Sequence, residues 1–407
     1  MVGPSRKLQV NTKKIICICI IPPSQRLRRD WLIDYFQSLG IDVQYWDLGP
    51  IWSQGSSENY ISDSILRKFK TIHEFKTQLF AENRQNSVFF VLLNYDYCYY
   101  PLFRLLKVAQ ARCFSFEWGN LPIQNHSKMR KVAQLLCQPL KLFGTVKKYL
   151  FNRLVKAISL IKFPDWIFFA GKSAAWKEHK GTKLIPINFC DFERYRDMRD
   201  AEKPLLSTPY ALFLDIYLPF QSDLKIVGWE TISPQPYLES LNRFFTFVEN
   251  HFDVQIVIAG HPKSSYPKET FQGRLIIKDK MPQLIRHSSF VLSHHSTSIS
   301  YAVMDFKPII FFYTEEMARV YKNTVVSYIN DFAQYLHCPS YNIDREPVDL
   351  ISIPKVNEKA YKSYIYDFLT SRECEEKNNT EIVMKEIFGV PQDGRTPAFP
   401  KDGRNAE

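Results

Sequence analysis

Short runs of β-branched and aromatic residues alternate with longer stretches of helical spacing along most of the chain. Residues 15–21 read Ile-Ile-Cys-Ile-Cys-Ile-Ile, which within Lys14–Ile21 predicts a buried strand. A helix is expected through 29–36, stopping at Gly40, and Ile41–Trp46 reads as the next strand. Further strands are predicted at Ser87–Leu93, Ala111–Phe116, Trp166–Ala170 and Lys183–Pro186. Alternation of this kind implies an α/β fold with a parallel sheet covered by helices on both faces.

Charged residues thicken between Asp191 and Lys203, and Pro204 and Pro209 bracket a short polar stretch, so a linker is expected there. The pattern then restarts. Strands are predicted at Tyr210–Leu214, Val254–Ala259, Arg274–Lys278, Ser289–Ser293 and Pro308–Tyr313, with helices over Tyr237–Asn250, Met281–His287 and from about Ser296. The expectation is two doubly wound, Rossmann-like halves facing a cleft, with ligands at the carboxyl ends of the strands. The expected division is 1–203, 204–350, C-terminal helices over 351–390 (Lys359–Leu369 and Glu381–Phe388), and a disordered polar tail at 391–407. No internal repeat is visible.

Composition narrows the class. Of 407 residues, 45% are hydrophobic and 15% aromatic, enough to bury a core and to exclude a disordered or fibrous chain. At roughly 100–200 residues per domain, two domains fit. The apolar run at 15–21 ends in Pro22-Pro23, far short of the ~20 residues of a membrane span, and no small-residue cleavage site follows it. A cytoplasmic protein with reduced thiols is expected. The eight cysteines agree, since none forms a Cys-x-x-Cys pair. Cys17, Cys19 and Cys113 sit in strand-like runs as buried, inert thiols. Cys and His do not cluster as a zinc site needs, no Asp-x-Asp ends a strand, and a basic phosphate site could replace Mg²⁺, so neither a metal nor a cofactor is expected.

Three segments carry candidate chemistry. In Val254–Lys263 a buried strand ends at Ala-Gly, and His261, Pro262 and Lys263 follow in a loop that Pro262 keeps out of helix. There His261 could donate to a phosphate oxygen and Lys263 add a charge, or the pair could simply cap and solvate the loop. In Phe290–Met304 a strand leads to His294, His295, Ser296, Thr297 and Ser298 and then an apolar helix. A cap needs one hydroxyl and three are present, which favours an anion site at a helix N-terminus. The glycines of a P-loop or dinucleotide fingerprint are missing, so neither an ATPase nor a dehydrogenase is indicated. In Ala211–Phe220, Asp215 ends a strand and could be base or nucleophile, or could cap a turn. Glu117 holds the equivalent strand end in the first half, a candidate for gripping an acceptor.

Charge is uneven. Lys and Arg number 53 against 42 Asp and Glu, net +11, and residues 118–164 contain nine Lys/Arg and no acid. Among these bases Leu140, Phe143, Leu150, Leu154, Ile158 and Ile161 recur at helical spacing, so Pro139–Phe163 is expected to be one basic amphipathic helix. Such a helix suits an anionic membrane surface, or packs its stripe on its own domain. No nucleic-acid motif is present, and nucleic acid is not an expected partner.

The two-half layout, His261-Pro262 after a strand, and the later Ser296-Thr297-Ser298 resemble GT-B glycosyltransferases of bacterial surface polysaccharide synthesis, closest in pattern to the sialyltransferase and polysialyltransferase group. Trp31–Phe36 with Tyr45–Leu48, Glu117–Pro122 and Phe213–Pro219 look like segments of capsular polysaccharide biosynthesis proteins, and the likeness spans roughly residues 14–320. It implies a nucleotide-sugar donor, CMP-sugar favoured, bound by 204–350, and a glycan or lipid-linked glycan acceptor on 1–203. It also implies that His261 assists the departing phosphate, that Ser296 and Ser298 bind it, and that Asp215 matches the acidic role. Those groups usually carry two acidic residues before Gly, whereas Ile216-Tyr217 follows Asp215 here. Competing expectations are a polyol-phosphate transferase or sugar epimerase on the same frame, and a non-catalytic surface-polysaccharide assembly protein.

Overall fold

The computed structural model describes residues 14–52, 64–118, 121–122, 139–174, 181–198, 203–220, 230–346 and 350–389. Seven strands form the first sheet: β1 Lys14–Cys19, β2 Asp42–Asp47, β3 Leu66–Lys68, β4 Ser87–Val91, β5 Cys113–Glu117, β6 Trp166–Ala170 and β7 Lys183–Ile187. They lie in the order β3-β2-β1-β4-β5-β6-β7, every pair parallel. Six strands form the second: β8 Tyr210–Leu214, β9 Gln255–Ala259, β10 Leu275–Ile277, β11 Phe290–Ser293, β12 Ile309–Tyr313 and β13 Ser340–Asn342. Their order, β10-β9-β8-β11-β12-β13, is again wholly parallel. Both repeat the doubly wound plan, in which the chain reverses its direction of travel beside the first strand. The molecule is an α/β protein of two Rossmann-like halves.

The strands are continuous apolar runs because both faces of a parallel sheet are covered. Ile15, Cys17, Phe90 and Phe114 face one layer and Ile16, Ile18, Trp46 and Phe89 the other, all buried. Cys17, Cys19 and Cys113 are buried inside these strands, and burial pushes each thiol up, which keeps it protonated.

The structure departs from the predicted elements in several places. The helix expected at 29–36 is two short ones, Gln25–Asp30 and Ile33–Ser38, broken at Leu32 with a left-handed φ of 59°. Successive positions on a straight helix diverge by about 100°. The break turns Trp31, Leu32 and Ile33 all inward, where Trp31 stacks on Phe116 at 5.9 Å. Strands β3, Leu-Arg-Lys, and β13, Ser-Tyr-Asn, have three residues each and lack the apolar run that marks the equally short β10. The expected single helix at 139–163 ends at Ala157, and Ser159 adopts a φ of 52° that turns Ile161 into the core. Most importantly, the charged segment expected as a linker contains the helix Cys190–Met198.

That helix is charged because it contacts ordered polar groups on both sides. Tyr301 donates to the buried Asp191 at 3.1 Å, and Tyr195 donates to Asp305 at 2.9 Å, tying the first half to the second. Its other side receives the end of the chain. Asn188 and Asn379, both buried, exchange hydrogen bonds of 2.8 and 2.7 Å. The Asn188 amide also donates to the carbonyls of Cys374 and Lys377, at 3.0 and 2.8 Å. From this lock the helix Asn379–Phe388 runs back over the first sheet and buries Val383, Met384, Ile387 and Phe388 in its core. The proposed tail at 391–407 lies outside the described residues.

Glu193 caps this returning helix by accepting from the Asn379 N–H at 2.5 Å. Burial pushes its carboxyl up to about 7, against the opposing pull of that N–H. A raised carboxyl favours folding while it is protonated and loses that contribution as pH rises through the folded-state value. Glu193→Gln keeps the acceptor without the charge. The variant is therefore expected to match the parent near pH ~4 and to exceed it by about 2–3 kcal/mol above pH ~8, read from urea midpoints. An equal or lower midpoint at the higher pH would show that the buried charge is compensated.

Candidate functional site

Ligands of doubly wound sheets bind where the strand order reverses, beyond the carboxyl ends. In the second sheet that point lies between β8 and β11, with Leu214 opposite Ser293, and β9 flanks β8 with Ala259 opposite Leu214. Three neighbouring strands, roughly 4.8 Å apart, thus deliver Asp215, the loop 260–263 and the loop 294–298 to one edge. All the predicted residues of the second half lie along this edge: Asp215, His261, Pro262, Lys263, His295, Ser296, Thr297 and Ser298. Glu117 ends β5 in the other sheet. The chain beyond it turns toward the second half, with Trp118 edge-on to Phe189 at 5.6 Å and Leu121 packed on the second core.

Asp215 organises this edge. It is 4% exposed, and its Oδ1 accepts from the Tyr217 N–H at 2.8 Å and the Tyr266 hydroxyl at 3.0 Å. Its Oδ2 accepts from the His261 N–H at 3.2 Å. One carboxylate therefore joins the turn after β8 to the loop after β9. Burial raises its pKa, while the Tyr217 and His261 N–H groups oppose the rise. The role of base expected for Asp215 would need at least one of these donors to give way. Gly260 supports the same junction, because a Cβ there would stand 2.9 Å from the Ile276 side chain.

His261 is half-buried, and its Nδ1 accepts from the Lys263 N–H at 3.2 Å. That bond assigns the ring proton to Nε2, which is therefore the donor nitrogen. Pro262 and Lys263 are exposed beside it. The Tyr217 ring lies parallel to the imidazole, 8° between planes and 6.3 Å between centroids. Tyr217 and Tyr266 were not anticipated from the sequence. Tyr217 could have been found, since Asp followed two residues later by a turn residue is the spacing of an Asx turn. It also holds a φ of 54°, a conformation a bulky side chain keeps only where its surroundings enforce it.

The Ser-rich segment is built differently from expectation. The helix begins at Ile299, not near Ser296, and has six residues. Its first N–H groups are already engaged: Ile299, Ser300 and Tyr301 donate to the carbonyls of Ser296, Thr297 and Ser298. Ser296 Oγ accepts from the Ser298 N–H at 3.2 Å. Polar capacity in this loop therefore resides in side chains, with Thr297 exposed. His294 is a core residue. Its Nδ1 donates to the Phe312 carbonyl at 2.8 Å, its Nε2 accepts from Tyr237 at 3.0 Å, and burial pushes it down to about 3. His295, pushed by burial down to about 4, is neutral as well, and its enclosed Nδ1 has no hydrogen-bond partner among the described residues. Ser293 Oγ, two residues earlier, is buried in the same condition.

No protein-family model matches the chain, and no curated protein matches it by sequence. Among solved structures it is similar to the glycotransferase of kitacinnamycin, at 12% identity over 83% of this chain and 88% of that one, with a TM-score of 0.44. It is similar to Methanocaldococcus jannaschii UDP-GlcNAc 2-epimerase in complex with UDP-GlcNAc and UDP, at 11% identity over 86% and 98%, TM-score 0.41. It is also similar to the wall teichoic acid polymerase TagF, at 12% identity over 88% and 85%, TM-score 0.46. These three differ in activity and the likenesses are distant; the architecture of this chain stands on its own strand order.

Asp215→Asn separates positioning from base chemistry. The new amide N–H would oppose the His261 N–H, leaving a donor facing a donor at a cost of about 1–3 kcal/mol. We expect a lower urea midpoint, and weakened donor binding together with lost turnover. Unchanged stability and binding with turnover alone abolished would instead make Asp215 the base.

Proposed function

We propose that the protein is a GT-B-type glycosyltransferase that moves a sugar from a nucleotide-sugar donor, CMP-sugar favoured, to a bacterial capsule or surface glycan. The observation that carries this reading is the meeting of Asp215, His261 and the 294–298 loop at the topological switch point of the second sheet. Its acceptor, on this reading, is glycan or lipid-linked glycan met in the cytoplasm at the inner face of the plasma membrane.

In the reaction an acceptor hydroxyl attacks the anomeric carbon, the bond from that carbon to the phosphate oxygen breaks, and the nucleotide leaves with the bonding pair. Charge therefore grows on the phosphate. The Nε2–H of His261, fixed by the bond at Nδ1, donates to it. The hydroxyls of Ser296, Thr297 and Ser298 and the Lys263 ammonium complete the phosphate's surroundings, and Pro262 keeps the loop extended. His295, neutral and with no partner at Nδ1 among the described residues, hydrogen-bonds the donor. Asp215 positions His261 through its backbone. Glu117 takes the acceptor's proton from the side of the first half.

Two measurements test this. Purified protein is incubated with CMP-, UDP- and GDP-sugars and with a CDP-polyol, and thermal unfolding is followed; a ligand of the folded state raises the midpoint by mass action. We expect a rise with a nucleotide sugar. A rise with the CDP-polyol alone would favour the polyol-phosphate transferase, and none with any would favour the assembly protein. His261→Ala removes one donor to developing charge, so turnover should fall ~10²–10³-fold in a protein that stays folded. Full activity in that variant would remove His261 from the mechanism.

A further inference from the structure

The helix Pro139–Ala157 has two apolar faces, and the protein covers one. Val155 is 1% exposed in the first core, and Phe151 packs edge-on against Tyr97 and Tyr100, each at 5.1 Å. On the other face Val146, Tyr149, Leu150, Leu154 and Ile158 stand 44–62% exposed. Positions 146, 150 and 154 follow one another at intervals of four, a single row on a helix, and Ile158, just past its end with its N–H still bonded to the Leu154 carbonyl at 3.0 Å, continues it. A helix lying on a domain needs one apolar face. The second buries nothing within the described residues, and a contiguous exposed apolar row is the mark of an interaction surface.

Charge decides the partner. Lys147, Lys148 and Arg153 are exposed beside the row, and the 118–164 segment offers no carboxylate to neutralise them. Lys148 also sits over the half-exposed ring of Tyr97, 5.8 Å from its centroid, which extends the patch onto the neighbouring loop. A second copy of this chain, related by a two-fold axis, would press this basic surface against itself. Nucleic acid would satisfy the bases and leave the apolar row in water. An anionic bilayer satisfies both, with headgroup phosphates meeting the bases and the acyl boundary receiving the row.

We propose that the exposed face of helix 139–157 docks the protein on an anionic lipid bilayer, lying in the interface with Leu150, Leu154 and Ile158 inserted. No helix among the described residues is long and apolar enough to cross a membrane, so the contact is peripheral and reversible. The surface is independent of the chemistry at the switch point, and its test does not use the reaction.

The test is co-sedimentation of the full chain with vesicles of equal parts phosphatidylglycerol and phosphatidylcholine, against vesicles of phosphatidylcholine alone. The expected result is binding to the anionic vesicles at low salt, release near ~1 M salt, where the Debye length is about 3 Å, and none to the neutral ones. K147Q/K148Q/R153Q and L150S/L154S/I158S change only exposed positions and should unfold at the parent's temperature. Each should bind the anionic vesicles at least ~10-fold more weakly, because charge and insertion are both required. The proposal is overturned if the parent ignores anionic vesicles at low salt, if it binds neutral ones equally, or if the serine variant binds like the parent. A parent that sediments as a dimer, and a serine variant that sediments as a monomer, would assign the row to a second copy instead.

Discussion

The two halves are tied through a buried polar lock in which the Asn379 side chain grips the backbone of Asn188. Two primary amides in an apolar setting are costly unless every donor and acceptor is used. Here the Asn379 side chain bonds both the N–H and the carbonyl of Asn188, the Asn188 side-chain amide reaches the carbonyls of Cys374 and Lys377, and Thr370 donates to its Oδ1 at 2.5 Å. A polar network so fully satisfied specifies one arrangement, because a shift in register strands several groups at once. It fixes where the C-terminal helix crosses back to the first sheet. The chain that has just built the second half is thereby held to the first.

The junction shapes the site indirectly. With the returning helix and Cys190–Met198 bound to both halves, the carboxyl edge of the first sheet, through Trp118 and Leu121, comes to the second half. Within the second half, Asp215 repeats the same principle on a smaller scale. One buried acceptor gathers donors from two loops, and the imidazole of His261 takes its orientation and tautomer from the loop that results. The left-handed Tyr217 is the local strain that this gathering maintains.

The basic helix obeys an opposite logic. Its Lys147, Lys148 and Arg153 stand exposed at the surface, and its outer apolar row is not covered by the core among the described residues. Where Asp191 and Glu193 show charge spent on architecture, Lys147, Lys148 and Arg153 show charge held at the surface.

By itself the sequence determined the fold class, because apolar runs with turn signals between helical stretches can only be buried as parallel strands. It determined eleven of the strands to within a few residues, and it marked the three segments that reach the switch point. It could not reveal β3 and β13, which are short and carry no apolar run, nor the break at Leu32, which serves contacts with Phe90 and Phe116 far along the chain. The charged stretch after Asp191 read as a linker because local composition does not distinguish solvated charge from charge paired across 110 residues, as Asp191 is with Tyr301. The same limit hid Tyr266 from Asp215, separated by 51 residues. Tertiary structure alone decided which apolar face of the basic helix is covered. Periodicity reports that a face exists, and only packing reports what lies against it.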